Sequence, residues 1–246
     1  MLRFYFVITV SIFQILYLIF MSHYIDRHSE KYTEESRYRL ALWASGVIER
    51  NSRIKTEGYG MENLPKEGGY MLYPNHQGRY DAVGIMLTHE KPVSVVVDKE
   101  RAKIVLLNEF ISLVQGKRLD KHDIRSQVQL ITEISKEVSE GRRYILFPEG
   151  GYDDKQSNAV DAFLPGSFKA AIRAKCPIVP VALIDSYRLF TRNSLKKLTT
   201  QVHYLKPLYY EDYKDLSTKE IAGLVRSTII SKISEVTSED PCTLTL

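Results

Sequence analysis

Cysteine, tryptophan and any strong excess of one charge are what this chain of 246 residues has least of. The 2 cysteines, Cys176 and Cys242, stand far apart with no metal or redox spacing, which argues against a disulfide framework and for a reducing compartment. Cys176, just ahead of Pro177, reads as a core residue. Lysine and arginine number 34 against 30 aspartates and glutamates, a net charge of +4. That is too small for a nucleic-acid footprint, and no helix-turn-helix, zinc-finger or aromatic RNA-binding pattern accompanies it. The balance suits an anionic membrane surface or phosphorylated ligands better. Paired histidines at ligand spacing and a glutamate-helix zinc signature are also missing, so neither a metal site nor a cofactor is expected. With 44% apolar and 26% charged residues, the composition fits one sizeable core with an appended segment.

The appended segment is defined by another absence. From Phe4 to Met21 the chain runs FYFVITVSIFQILYLIFM, 18 residues without a charge. As a single helix it would extend about 27 Å, close to a hydrocarbon core of ~30 Å. No alanine or glycine precedes Ala41, so the small-residue cleavage site of a signal peptide is lacking. The expectation is a membrane anchor over residues 1–24. Only Arg3 precedes the run, whereas Arg27, Lys31, Arg37 and Arg39 follow it, which places the body of the protein on the cytoplasmic side of the cell membrane. A monotopic helix embedded from that side is the alternative.

Residues 25–54 read as a helix leading off the membrane, with Leu40, Trp43, Val47 and Ile48 at helical spacing and Trp43 assigned to the core. Gly58 to Gly69 reads as a loop. Strands are then expected at Tyr70–Tyr73, Val93–Val97, Arg143–Phe147, Ile178–Ile184 and Gln201–Lys206, with helices after Asp81 and over Glu100–Leu113, Ile124–Ser139 and Ser167–Lys175. Such alternation predicts an α/β fold, a mainly parallel sheet flanked by helices. Ile124, Val128, Ile131, Ile134 and Val138 form one stripe ended by Gly141. Ser217-Thr218-Lys219-Glu220 is a capping box ahead of a second stripe, Ile221, Leu224, Val225, Ile229, Ile233 and Val236. Both stripes are expected in the core.

The stretch Asn75-His76-Gln77-Gly78-Arg79-Tyr80-Asp81 carries the chemistry. Imidazole titrates near neutrality, and a carboxylate that accepts its second N–H fixes the tautomer and stabilises the imidazolium formed when a proton is taken. On an ideal helix, residues five apart lie about 140° apart, so His76 and Asp81 meet only if the chain turns from strand to helix between them. Gly78 is expected to allow that turn. Read alone, the same residues serve equally well as a helix cap and a polar loop. A second site adds weight: Tyr144-Ile145-Leu146-Phe147 ends abruptly at Pro148-Glu149-Gly150-Gly151, and two strands ending in polar glycine turns are what a ligand crevice at the carboxyl edge of a sheet requires.

NHQGRYD, then FPEGG, then Phe163-Leu164-Pro165-Gly166-Ser167-Phe168-Lys169, then Pro177-Ile178-Val179-Pro180-Val181-Ala182 together resemble the glycerolipid acyltransferases of the lysophosphatidic acid acyltransferase type, over roughly residues 55 to 210. The resemblance implies an acyltransferase domain over 55–246. It implies acyl transfer from an acyl-carrier protein or acyl-CoA to the sn-2 hydroxyl of lysophosphatidic acid, giving phosphatidic acid. His76 would be the base and Asp81 its orienting acid. Asn75, Arg79, Lys117, Arg118, Lys121, Glu149, Gly150 and Gly151 would lie at the substrate. Asp120 is expected to orient Lys121, and backbone N–H groups near Gly78 or after Phe147 are candidates for the oxyanion. A second basic region contains Arg188, Arg192, Lys196, Lys197 and Lys206, interleaved with Tyr187, Phe190 and Leu195, and a third contains Lys99, Arg101 and Lys103. The second suits a lipid interface or an anionic donor, and the third suits docking of the body on the bilayer.

Two features depart from the family pattern. Gly151, Tyr152 and Asp153 stand where Thr, Arg and Ser usually follow the glutamate, and Leu119-Asp120-Lys121 replaces an Ile-Asp-Arg-like triplet. Lysine offers phosphate a point charge without the arginine fork. A different lysophospholipid acceptor, a non-catalytic membrane-anchored lipid-binding protein, and a metal-assisted hydrolase using His76 with Asp81, Asp153 or Asp154 are the rival readings.

Overall fold

The computed structural model describes residues 2–103, 106–151, 157–191 and 194–239. Tyr152, Asp153, Asp154, Arg192 and Cys242, and the side chain of Phe190, lie outside the described residues.

Among the described residues one seven-stranded sheet runs β1-β7-β6-β2-β5-β3-β4, where β1 is Ile54–Tyr59, β2 Tyr70–Pro74, β3 Ser94–Asp98, β4 Lys117–Leu119, β5 Arg143–Ile145, β6 Ile178–Ile184 and β7 Leu198–Tyr204. From β6 to β4 every pairing is parallel, with Met71 opposite Ile178 and Leu72 opposite Ile145. β7 is antiparallel to β6, and β1 is parallel to β7. The mainly parallel α/β sheet expected from the alternation is therefore present, with a reversed pair at one edge.

Helices cover both faces, which is why the central strands are apolar without alternation. Leu72, Val179, Val181 and Leu183 face a core built with α2 (Ile12–Arg27), α3 (Glu34–Asn51), α4 (Asp81–Thr88) and α5 (Leu107–Leu113). Met71, Tyr73, Ile178 and Ala182 face the other, built with α6 (Ile124–Ser139), α7 (Lys169–Ala174) and α10 (Thr218–Glu239). Single-turn helices α8 (Arg188–Thr191) and α9 (Tyr210–Tyr213) flank β7. Cys176 is buried, and burial pushes its thiol up to about 12, so it is the inert core residue that its position implies.

Helix ends follow the local sequence. Thr33 caps α3 by accepting the Ser36 N–H at 3.3 Å, and Asp123 caps α6 by accepting from Arg125 at 2.9 Å and Ser126 at 3.2 Å. Gly141 adopts φ +103° just after α6, the left-handed stop that glycine supplies. The capping box ahead of α10 is closed in both directions: Ser217 N–H reaches Glu220 at 2.7 Å, and Glu220 N–H reaches the Ser217 hydroxyl at 3.3 Å.

Several expectations are corrected. The apolar amino-terminal run is not one helix: α1 (Leu2–Val10) and α2 meet at Ser11 with a bend of 71°. The Ser11 side chain is buried there and accepts a hydrogen bond from Asn51 at the end of α3, 2.8 Å. No single helix among the described residues is long and apolar enough to cross a membrane, though the bent pair passes that test together. Trp43 is 41% exposed and packs edge-on against Tyr17 at 5.4 Å, outside the core. In α6, Ile124 and Val128 are 76% and 55% exposed, because α7 is only six residues long and meets α6 from Thr132 and Ser135 onward. Leu224 of the last stripe is also exposed. The helix expected over Glu100–Leu113 is broken, with a 3-10 turn at Arg101–Lys103, and α5 begins only after Leu106, at φ +75°. Strand β1 lies where a helix end and a loop were expected, and the short strand β4 lies where no element was expected.

Candidate active site

β2, β5 and β6 are parallel neighbours, so their carboxyl ends deliver three successive turns to one edge of the sheet. The first carries His76, the second Glu149 and the third Ser186.

After Pro74 the chain leaves β2, and Asn75 continues the pairing with its side chain. Its amide donates to the Leu183 carbonyl at 3.1 Å and accepts the Leu183 N–H at 2.7 Å. Asn75 is fully buried and turned toward β6, so it braces the turn from within. The chain then swings outward and re-enters as α4 at Asp81. The Asp81 side chain has no exposed surface, and its Oδ2 lies 2.7 Å from His76 Nδ1. The same oxygen accepts the N–H of Gln77 at 2.6 Å and of Gly78 at 2.9 Å, while Oδ1 accepts the Ser186 hydroxyl at 2.5 Å. Those backbone donors require Asp81 to be an acceptor, so His76 carries its proton on Nδ1 and presents the lone pair of Nε2. The positive end of α4 adds to the stabilisation of a carboxylate at its first residue.

The His76 ring is held on a second side by Phe147, stacked at 4.0 Å and 22°. Its backbone N–H donates to Glu149 Oε1 at 2.9 Å, and the other carboxylate oxygen of Glu149 accepts the Asp161 N–H at 3.3 Å. Glu149 thus ties the first turn to the second. Gly150 follows at φ +75°, where a Cβ would stand 2.6 Å from the Cδ1 of the exposed Leu164 side chain, which can turn aside, so it is the left-handed backbone that favours glycine there. Gly78, by contrast, is not left-handed, and a Cβ on it would meet nothing within 4 Å. The strand-to-helix turn is present, but glycine is not what permits it.

The basic residues expected at the acceptor phosphate separate. Lys117 is held by Glu133 at 2.5 Å and Glu137 at 2.6 Å, near the far end of α6. Arg118 reaches Asn108 at 2.7 Å. Only Lys121 stands at the second turn, with Nζ 3.8 Å from where a Cβ on Gly151 would lie. Its partner is Asp98 at 3.0 Å; Asp120, expected in that role, pairs with Lys99 at 3.0 Å. Arg79 is exposed, with its guanidinium carbon 6.0 Å from the centre of the Phe4 ring of α1. The N–H groups of Gln77 and Gly78 point at Asp81 and that of Gly150 at the Phe147 carbonyl, 3.2 Å, so these three are corrected as oxyanion donors.

Of the other basic stretches, Arg188 pairs with Asp185 at 2.7 Å and Lys103 with Glu100 at 2.7 Å. Lys196, Lys197 and Lys206 are exposed. Ser186 was missed by sequence reasoning. It sits 105 positions beyond Asp81, and no local pattern distinguishes it from any serine at the end of a strand.

Residues 55–184 match the model of the acyltransferase family. The chain is 22% identical over 200 residues to the 1-acyl-sn-glycerol-3-phosphate acyltransferase of Borreliella burgdorferi, covering 80% of this chain and 76% of that protein. It is 26% identical over 187 residues to the protein of the same name from Escherichia coli, covering 76% of each. Its fold is similar to that of the 1-acyl-sn-glycerophosphate acyltransferase of Thermotoga maritima in its crystal structure. There the TM-score is 0.74 at 20% identity, over 96% of this chain and 94% of that one.

Proposed function

From the premise that the chain belongs to the acyltransferase family, we propose that it transfers an acyl group from a thioester to the sn-2 hydroxyl of lysophosphatidic acid, forming phosphatidic acid for phospholipid synthesis. The observation that carries this reading is the contact of His76 Nδ1 with buried Asp81 at the mouth of the sheet edge. His76 Nε2 takes the acceptor hydroxyl proton as its oxygen attacks the thioester carbonyl carbon. The tetrahedral intermediate collapses with cleavage of the C–S bond, and the departing sulfur receives the proton from the imidazolium. The acceptor hydroxyl is the nucleophile, so no covalent enzyme intermediate is formed. Asp81 keeps the imidazole in the useful tautomer, and Glu149 holds the backbone of His76.

We assign Lys121 to the acceptor phosphate, as the cation beside Gly151. The aromatic and aliphatic side chains that α1 and α2 expose, above all Phe13 at 80% and Phe20 at 65%, support seating of the bent pair in the bilayer with the site on the cytoplasmic side. Arg79 against Phe4 brings that pair to the catalytic turn.

A different lysophospholipid acceptor is the second reading. It is favoured by one observation: Lys121 is already neutralised by Asp98, which lowers the gain from a bare phosphate. The test is thiol release by membranes carrying the protein, crossing acyl-carrier-protein and coenzyme A donors with a panel of lysophospholipids. Transfer to lysophosphatidic acid, abolished in His76→Ala, is the expected result. Undiminished turnover in that variant refutes the assignment of the base, and a preference for another headgroup selects the second reading.

A further inference from the structure

We propose that Ser186 is a positioning residue for the proton transfer, fixing the rotation of the Asp81 carboxylate and through it the direction of His76. The proposal rests on the acyl-transfer reading above.

A carboxylate turns about a broad, nearly two-fold torsion, and Asp81 must hold one setting for His76 to keep its aim. Three N–H groups converge on Oδ2, those of His76, Gln77 and Gly78. Among the described residues, Oδ1 is met by the Ser186 hydroxyl at 2.5 Å. That hydroxyl also lies 3.0 Å from Gln77 Oε1, but it has one proton to donate, and the nearer, charged oxygen takes it.

Ser186 is itself aimed. Asp185 turns the chain sharply after β6 at φ +65°, a left-handed setting that aspartate tolerates at some cost and that persists only when its surroundings hold it. They do so at four points. The Asp185 N–H reaches Asn158 Oδ1 at 2.8 Å, and Asn158 Nδ2 reaches Asp185 Oδ1 at 3.2 Å. Arg188 grips the other Asp185 oxygen at 2.7 Å. The Ser186 N–H donates to Gln77 Oε1 at 3.0 Å, which fixes the orientation of the Gln77 amide and sends its Nε2 to Asn158 Oδ1 at 2.8 Å. Gln77 therefore brackets the catalytic turn to the Ser186 turn while its own N–H serves Asp81. A serine needed only for packing does not explain a buried, strained turn that delivers one hydroxyl to one oxygen of the orienting acid.

The test compares wild type, Ser186→Ala, Ser186→Thr, Asp81→Asn and the Ser186→Ala/Asp81→Asn double variant in the thiol-release assay. Thermal unfolding of each confirms that it is folded. Ser186→Ala leaves a buried carboxylate oxygen without its donor, and kcat should fall about tenfold to a hundredfold. KM for the thioester and for lysophosphatidic acid should stay within about twofold, since the Ser186 hydroxyl is buried against Asp81 and Gln77. Ser186→Thr, which keeps the hydroxyl, should recover most of kcat. In the Asp81→Asn background, the loss of the hydroxyl should cost much less than in wild type, because both changes break the same link. Wild-type kcat in Ser186→Ala overturns the proposal. So does a threonine variant as slow as the alanine one while folded, or full additivity in the double variant. Absence of turnover in the wild type sinks the acyl-transfer reading instead, and the two failures are thereby told apart.

Discussion

Asp81 is an anion with no exposed surface and four donors within 2.9 Å. Replacing it with asparagine removes the charge that stabilises an imidazolium and offers the Gln77 and Gly78 amides a poorer acceptor. Asp81→Asn should lose roughly two to four powers of ten in kcat with a folded chain, measured by thiol release. Lys121→Ala should raise KM for lysophosphatidic acid more than it lowers kcat; an unchanged KM removes Lys121 from the acceptor site. Gly150→Ala forces a side chain into the left-handed region, and should be visibly destabilised in thermal unfolding. At this scale the sequence reveals pairs that are close along the chain. His76 and Asp81, five positions apart, required a turn that the structure contains. The exchange of partners between Asp98, Lys99, Asp120 and Lys121 is set by β3 lying beside β4, which no local spacing encodes.

At the scale of elements, apolar runs were legible and short polar strands were not. β6 was expected over Ile178–Ile184 and is found there, every residue buried; α6 matches its expected span as well. β1 reads IKTEGY and lies at the sheet edge, with only Ile54 buried, so it lacks the burial that makes a strand conspicuous. The junction between α4 and β3 contains a prediction of its own. His89 sits between the Tyr70 hydroxyl at 2.8 Å and the Lys91 carbonyl at 2.7 Å, and burial pushes its pKa down to about 4. An imidazole that is harder to protonate folded than unfolded contributes its full stability above the ordinary value near 6.5. That contribution is lost as pH falls from about 6.5 toward 4, up to about 3 kcal/mol. His203, lowered to about 4 by burial, acts in the same direction. Unfolding free energy measured across this window should decline, and His89→Gln should flatten part of the decline, with His203 supplying a further part. A slope unchanged by the substitution assigns the effect elsewhere.

For the whole molecule, the α/β class was legible from alternation, whereas the reversal of β7 and β1 was not, because it depends on the turn after Ile184 and on which edge remains open. The bent pair α1 and α2 presents its aromatic side chains outward. Phe13→Asp with Phe20→Asp should release the protein from sedimenting lipid vesicles without altering its unfolding temperature, since both side chains are largely exposed. Retained sedimentation places the membrane contact on another face.

The two ends of the fold are also joined. The Arg3 guanidinium in α1 donates to the carbonyls of Ser194 at 3.0 Å and Lys196 at 2.6 Å, and β1 pairs along its length with β7. Synthesis proceeds from the other direction in time. At about 5–20 residues per second, roughly seven to thirty seconds separate the appearance of β1 from that of β7. Throughout that interval the first two helices and the first strand are complete but have none of these partners. A nascent chain halted before Ser194 is thus a different object from the finished enzyme, with an apolar front and an open edge, and its fate belongs to whichever surface reaches them first.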